Sequence, residues 1–204
     1  MAEITAADVK KLRDATGAGM MDCKRALTDA DGDFDKAAQL VRERTGAKIG
    51  DRVAGRTANE GLVHAYLHAP TPGLPPKVGV LVELNCETDF VAKGDGFRQL
   101  ANDLALHIAA ARPQVVQESE LDPEQVAAER EFAEKQARDQ GKPEHIIDKI
   151  VEGRLQAFYK ERVLLKQPYV RDDKRTIEEL ITEFQRTAGE KIVVSRMARF
   201  EVGA

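Results

Sequence analysis

Between Glu83 and Lys93 the chain reads ELNCETDFVAK, which sets a thiol, Cys86, and two carboxylates, Glu87 and Asp89, within four positions. A thiolate nucleophile needs a base or a cation beside it to lower its pKa, and no histidine or lysine adjoins Cys86. Strand alternation turns Cys86 to the same face as Leu84, so burial is its expected state and thiol catalysis is a minority reading. Asp89 and Phe90 are different. They follow the period-two apolar run Val78, Val80, Val82, Leu84 after it has ended, so a carboxylate and a large ring sit side by side where the strand exits. A ring there is either tucked inward or presented to a partner.

The remaining clusters with chemical potential have simpler readings. Gly17-Ala18-Gly19-Met20-Met21-Asp22 hints at a dinucleotide fingerprint, but Asp22 stands where the third glycine belongs and the segment follows a helix instead of a strand. No Walker-type phosphate loop occurs elsewhere, so no nucleotide cofactor is expected. Asp29, Asp31, Asp33 and Asp35 imitate the start of a calcium loop. Phe34 occupies the glycine position and Leu40 the bidentate glutamate position, so Gly32 and Asp33 are read as a turn and helix cap, with no metal. His64 and His68 would lie about 13 Å apart along a strand, too far to share a metal, and are expected at the surface. His107 and His145 are isolated. Met20 and Met21 are adjacent, so both cannot face inward. One is expected exposed near Arg13, as an adaptable contact for a helical partner.

These residues need elements to hold them. Thr5 caps a first helix carrying Val9 and Leu12, and Gly17 releases the chain from it. Cys23, Ala26, Leu27 and Ala30 stripe a second helix; Phe34, Ala37, Ala38 and Val41 stripe a third, which Gly46 should end. Three such stripes close a small bundle, and the glycine-containing, mixed-charge stretch 47–61 makes a linker. The expected division is 1–54, a helical partner-binding domain with linker, and 55–204, an α+β core and dimerisation domain. In the core, Leu62–His68 and Lys77–Asn85 form a hairpin with a stiff tip, Ala69-Pro70-Thr71-Pro72-Gly73-Leu74-Pro75-Pro76. Phe97, Leu100, Ala101, Leu104 and Ile108 mark a helix ended by Pro113. Asp122-Pro123 starts a helical hairpin that turns at Gly141-Lys142-Pro143. Thr176 and Glu179 form a capping box. A last strand over 192–202 joins the earlier hairpin, giving an antiparallel sheet of about three strands packed by helices.

The chain has 204 residues, with 31 Lys and Arg against 35 Asp and Glu for a formal charge of -4. Such a surface repels polyanions, so direct nucleic-acid binding is not expected. Two distant cysteines without CxxC spacing suit a reducing compartment. Neither a secretion signal nor a membrane span is legible, and a cytoplasmic protein is expected.

Two segments carry a family resemblance. Leu12 to Leu27, LRDATGAGMMDCKRAL, and ELNCETDFVAK both resemble elongation factor Ts signatures, in the family's order. GKPEHIIDKIVEGRL, Val163 to Asp172 and Ser195 to Ala204 also look like the family, so the resemblance covers essentially the full chain. It implies a guanine nucleotide exchange factor, not an enzyme of bond chemistry, acting on the translational GTPase elongation factor Tu. It also implies a ubiquitin-associated-like helical domain ahead of one α+β core, the short form that works as a homodimer bound to two copies of the GTPase. By the same resemblance Thr88, Asp89, Phe90 and Val91 match the segment that dislodges the GTPase's Mg2+, with Asp89 and Phe90 inserting near its nucleotide. Arg13, Met20 and Met21 match N-terminal contacts. The chain departs from some short relatives in its longer proline tip and in having no cysteine in the final strand, so a dimer would lack a disulfide. The competing readings are a helical adaptor without exchange activity and an enzyme dependent on Cys86.

Overall fold

The computed structural model describes residues 4–53, 55–71 and 73–203, and the side chains of all of these except 45–49 and 51. Ala54 at the expected domain boundary, Pro72 of the tip and Ala204 lie outside the described residues. The fold is α+β, and the chain forms two compact units. One takes the chain up to Arg56 together with Thr182–Glu190; the other takes Thr57–Ile181 and the chain from Lys191 onward.

In the first unit, α1 (Ala6–Thr16) begins with a full capping box between Thr5 and Asp8 and ends at Gly17, whose φ of 63° is the left-handed conformation that glycine adopts without a Cβ clash. α2 (Met20–Asp29) and α3 (Phe34–Val53) follow. Val9, Leu12, Cys23, Ala26, Leu27, Ala37 and Val41 close the bundle core, as their helical spacing requires. Gly46 does not end α3, which runs on to Val53. Gly46 and Gly50 inside this helix each cost about 1 kcal/mol relative to alanine, which the flanking turns of good helix formers outweigh.

In the second unit β1 (Glu60–His68), β2 (Val78–Cys86) and, later, β5 (Val193–Glu201) make an antiparallel sheet in the order β1-β2-β5. Gly61 is needed where β1 meets β2: its φ is 149°, and a Cβ there would stand 2.2 Å from the Leu84 carbonyl oxygen. A single turn, α4 (Asp89–Ala92), then leads into α5 (Asp95–Ala111). α5 covers one face of the sheet, burying Phe97, Leu100, Leu104 and Ile108 with Val80, Val82, Leu84 and Cys86. α6 (Pro123–Asp139) and α7 (Glu144–Arg162) form the hairpin, closed by Ala133, Ala137, Ile147, Val151 and Leu155. A two-stranded ribbon that the sequence reading missed, β3 (Pro168–Tyr169) with β4 (Asp172–Thr176), follows. It is short and polar, with no alternation to reveal it. α8 (Ile177–Ala188) starts on the expected box: the Thr176 N–H donates to Glu179 Oε2 at 2.8 Å and the Glu179 N–H to Thr176 Oγ1 at 3.2 Å.

Candidate functional site

The Thr88–Val91 segment is not an open loop. Thr88 is extended (φ -128°, ψ 152°) and its hydroxyl accepts the Val91 N–H at 3.4 Å, so it caps one helical turn over Asp89–Ala92. The sequence pattern is Thr followed by an acidic first-turn residue, which suits a helix start. Its brevity, four residues before Gly94 opens α5, hid it within the strand exit.

Three side chains moor this turn. The fully buried Cys86 thiol donates to the Thr88 carbonyl at 3.1 Å. Glu87 Oε1 accepts the Lys191 N–H, just before β5, at 2.6 Å. Lys93 Nζ lies 2.6 Å from Asp89 Oδ2. The hydrogen bond and charge of Lys93 hold the Asp89 carboxyl below its usual range, and Asp89 in turn raises Lys93. Phe90 rides on the moored turn and is 84% exposed, more than any other large hydrophobic residue among the described residues. Val91 is half-buried and Thr88 exposed. The competing thiol-enzyme reading has no support in this geometry: Cys86 is buried, as expected, and its proton is directed at a carbonyl.

Arg13, Met20 and Met21 belong to the other unit. Arg13 is exposed near the end of α1, where its carbonyl accepts the Gly17 N–H at 2.7 Å. Both methionines are on the first turn of α2 and both are exposed, Met21 at 62% and Met20 at 46%. Cys23, Ala26 and Leu27 take the buried stripe of that helix instead.

Two of the histidines part from expectation. His68 is exposed, with the Tyr66 hydroxyl 3.2 Å from its Nδ1. His64 is half-buried on the covered side of the sheet, since it pairs with the buried Val82. His107 is fully buried and far from isolated: its Nε2 lies 2.9 Å from Gln167 Oε1 and its Nδ1 accepts the Val170 N–H at 3.4 Å. Burial pushes its pKa below the ordinary value, partly countered by Gln167. Gln167 also donates to the carbonyls of Ala111 and Glu161. Sixty positions separate this pair, and no local spacing could have joined them. Among the described residues no group of His, Cys, Asp and Glu side chains could hold a metal, and no helix is long and apolar enough to cross a membrane.

A family model described as Elongation factor TS matches residues 4–204. The chain belongs to the elongation factor Ts family. An elongation factor Ts of Frankia alni is 54% identical over 202 residues, covering 99% of this chain and 98% of that protein. Those of Moorella thermoacetica, 50% identical over 200 residues, and Coprothermobacter proteolyticus, 50% over 201, are also matched over nearly their whole lengths, 96% and 99%. Membership makes the chain a translation elongation factor of protein biosynthesis.

Proposed function

We propose that this elongation factor Ts is a guanine nucleotide exchange factor for elongation factor Tu, that it speeds GDP release by displacing the GTPase's Mg2+, and that it catalyses no bond chemistry itself. Thr88, Asp89, Phe90 and Val91 act at the GTPase's nucleotide site, and Arg13, Met20 and Met21 hold a second area of the same partner. The observation that carries this reading is Phe90: an exposed ring on a turn anchored by its neighbours is a preorganised wedge, costing little ordering on docking. A GTPase grips GDP through phosphate contacts and a magnesium ion, so shifting the elements around the ion weakens the nucleotide without competing for its base. Exchange of this kind is reciprocal. Whatever factor the bound protein removes from GDP affinity, GDP removes from the protein's, and GTP rebinding frees the factor.

The factor acts as a symmetric homodimer, two copies with two GTPases, in the cytoplasm. Support for the dimer comes from the sheet face opposite α5, where Val63, Leu67, Leu81 and Phe200 are 65%, 68%, 47% and 71% exposed. Monomers rarely leave so continuous an apolar face in water. Glu83 and Arg196 pair at its border, a polar rim of the kind interfaces carry. Both cysteines are free and buried, so no disulfide within this chain takes part.

The test is to mix the protein with elongation factor Tu loaded with fluorescent GDP and follow the signal. Exchange predicts release accelerated in proportion to added protein until saturation. Tight binding with unchanged release would leave only the adaptor reading.

A further inference from the structure

Only Glu87 and Thr88 separate the last residue of β2 from α4, so the direction of the Phe90 ring depends on how those two residues are pinned. Thr88 is fixed from within, through its cap and the Cys86 thiol. Glu87 reaches outward to a different segment: its carboxylate accepts the Lys191 backbone N–H at 2.6 Å, across 104 positions, and Lys191 leads directly into β5. A charge-assisted bond of this length to a backbone group is strong and directional. It ties the exit of the central strand to the entry of its edge neighbour, at the end of the sheet from which the turn projects.

We propose that Glu87 is a positioning residue for exchange: its carboxylate fixes the orientation of the Asp89–Ala92 turn, and so sets how far a docked Phe90 reaches into the GTPase. This rests on the exchange reading and deepens it. Glu87 itself need not touch the partner. Its removal leaves the ring present and exposed but free to splay, and small misplacements of a positioned group lower rates steeply while leaving encounter intact. Charge is not essential to the role; an acceptor at the right reach is.

The test uses the full chain and fluorescent GDP release from elongation factor Tu, read as the maximal accelerated rate and the concentration giving half of it. Glu87→Ala should lower the maximal rate about 10-fold, the lower range for losing a hydrogen bond to a charged group, with the half-saturating concentration within about twofold. Glu87→Gln, which keeps an acceptor at the same reach, should recover most of the rate. In a Phe90→Ala background Glu87→Ala should add nothing, because a residue acting through the ring has no effect without it. Additive losses in the double variant would overturn the proposal, as would a wild-type maximal rate for Glu87→Ala. The latter alone leaves the exchange reading standing, whereas wild-type rates in both single variants overturn both. Should Glu87→Ala fail to fold, Glu87→Asp, one methylene shorter, makes the same comparison.

Discussion

Replacing Phe90 by alanine separates what the ring does for its own fold from what it does for a partner. With the residue 84% exposed, little of it packs against the chain, so the change in folding stability should stay within about 0.5 kcal/mol and the thermal midpoint within about 2 °C. On docking, that exposed surface is what becomes available to bury. Burying a phenylalanine side chain is worth about 1.5–3 kcal/mol, and scaled to the exposed share about 2 kcal/mol remains, about 30-fold in the population of the displaced-magnesium complex. Stopped-flow release of fluorescent GDP from elongation factor Tu, at saturating factor, should therefore slow by about that ratio, with circular dichroism melting unchanged. Release at the wild-type rate would refute the wedge. A midpoint lowered by many degrees would equally refute the reasoning, because it would mean that the ring supports its own domain.

Three further changes probe the scaffold. Gly61→Ala forces a Cβ to within 2.2 Å of the Leu84 carbonyl oxygen at a φ of 149°, and should cost about 3 kcal/mol, read as a lower urea midpoint; an unchanged midpoint would show that the strands can part there. His107 is held neutral by burial with its folded pKa below the unfolded 6.5, so the unfolded chain takes up its proton first and stability should fall as pH drops below about 6.5. His107→Gln should flatten that part of the stability profile, and an identical slope in the variant would place the proton elsewhere. Phe200→Glu puts a charge on the open sheet face, on edge strand β5, and should shift sedimentation from dimer to monomer; a wild-type protein that already sediments as a monomer would remove the dimer.

Wherever one local rule decided the outcome, the sequence was a sufficient guide. The caps at Thr5 and Thr176, the left-handed turn at Gly17 and the buried stripes of α1, α2 and α5 follow from spacing alone. Cys86 lies on the core side because alternation puts it with Leu84, and the last strand pairs with β2 as expected. Gly46 misled because a weak helix position was read as a stop, although tertiary and neighbouring-turn effects routinely override one residue's propensity. The exposed placement of Phe90 could be named as one of two alternatives and no more. The turn that carries it is moored by Glu87 meeting Lys191, and the buried His107 meets Gln167; both are contacts between segments far apart in the chain, where periodicity carries no information.

A wedge worth about 30-fold is small against the grip a GTPase has on its nucleotide, and this bears on how the two candidate surfaces divide the task. If Phe90 made its contacts equally before and after GDP leaves, the factor would bind both states alike and release would not speed up. Acceleration needs one set of contacts that holds the GTPase in both states and another that is satisfied only once the magnesium site is disturbed. Met20 and Met21, flexible and exposed on a helix turn, suit the first role because thioethers adapt to a surface without demanding a fixed geometry. The Phe90 turn suits the second for the opposite reason. Capped by Thr88, held by Cys86 and tied by Glu87, it is preorganised, so under the proposed exchange the adjustment on contact falls to the partner's side. On the exchange reading proposed above, rigidity of the turn that carries the exposed ring is the property that would turn binding into exchange, and the residues that confer it matter as much as the ring.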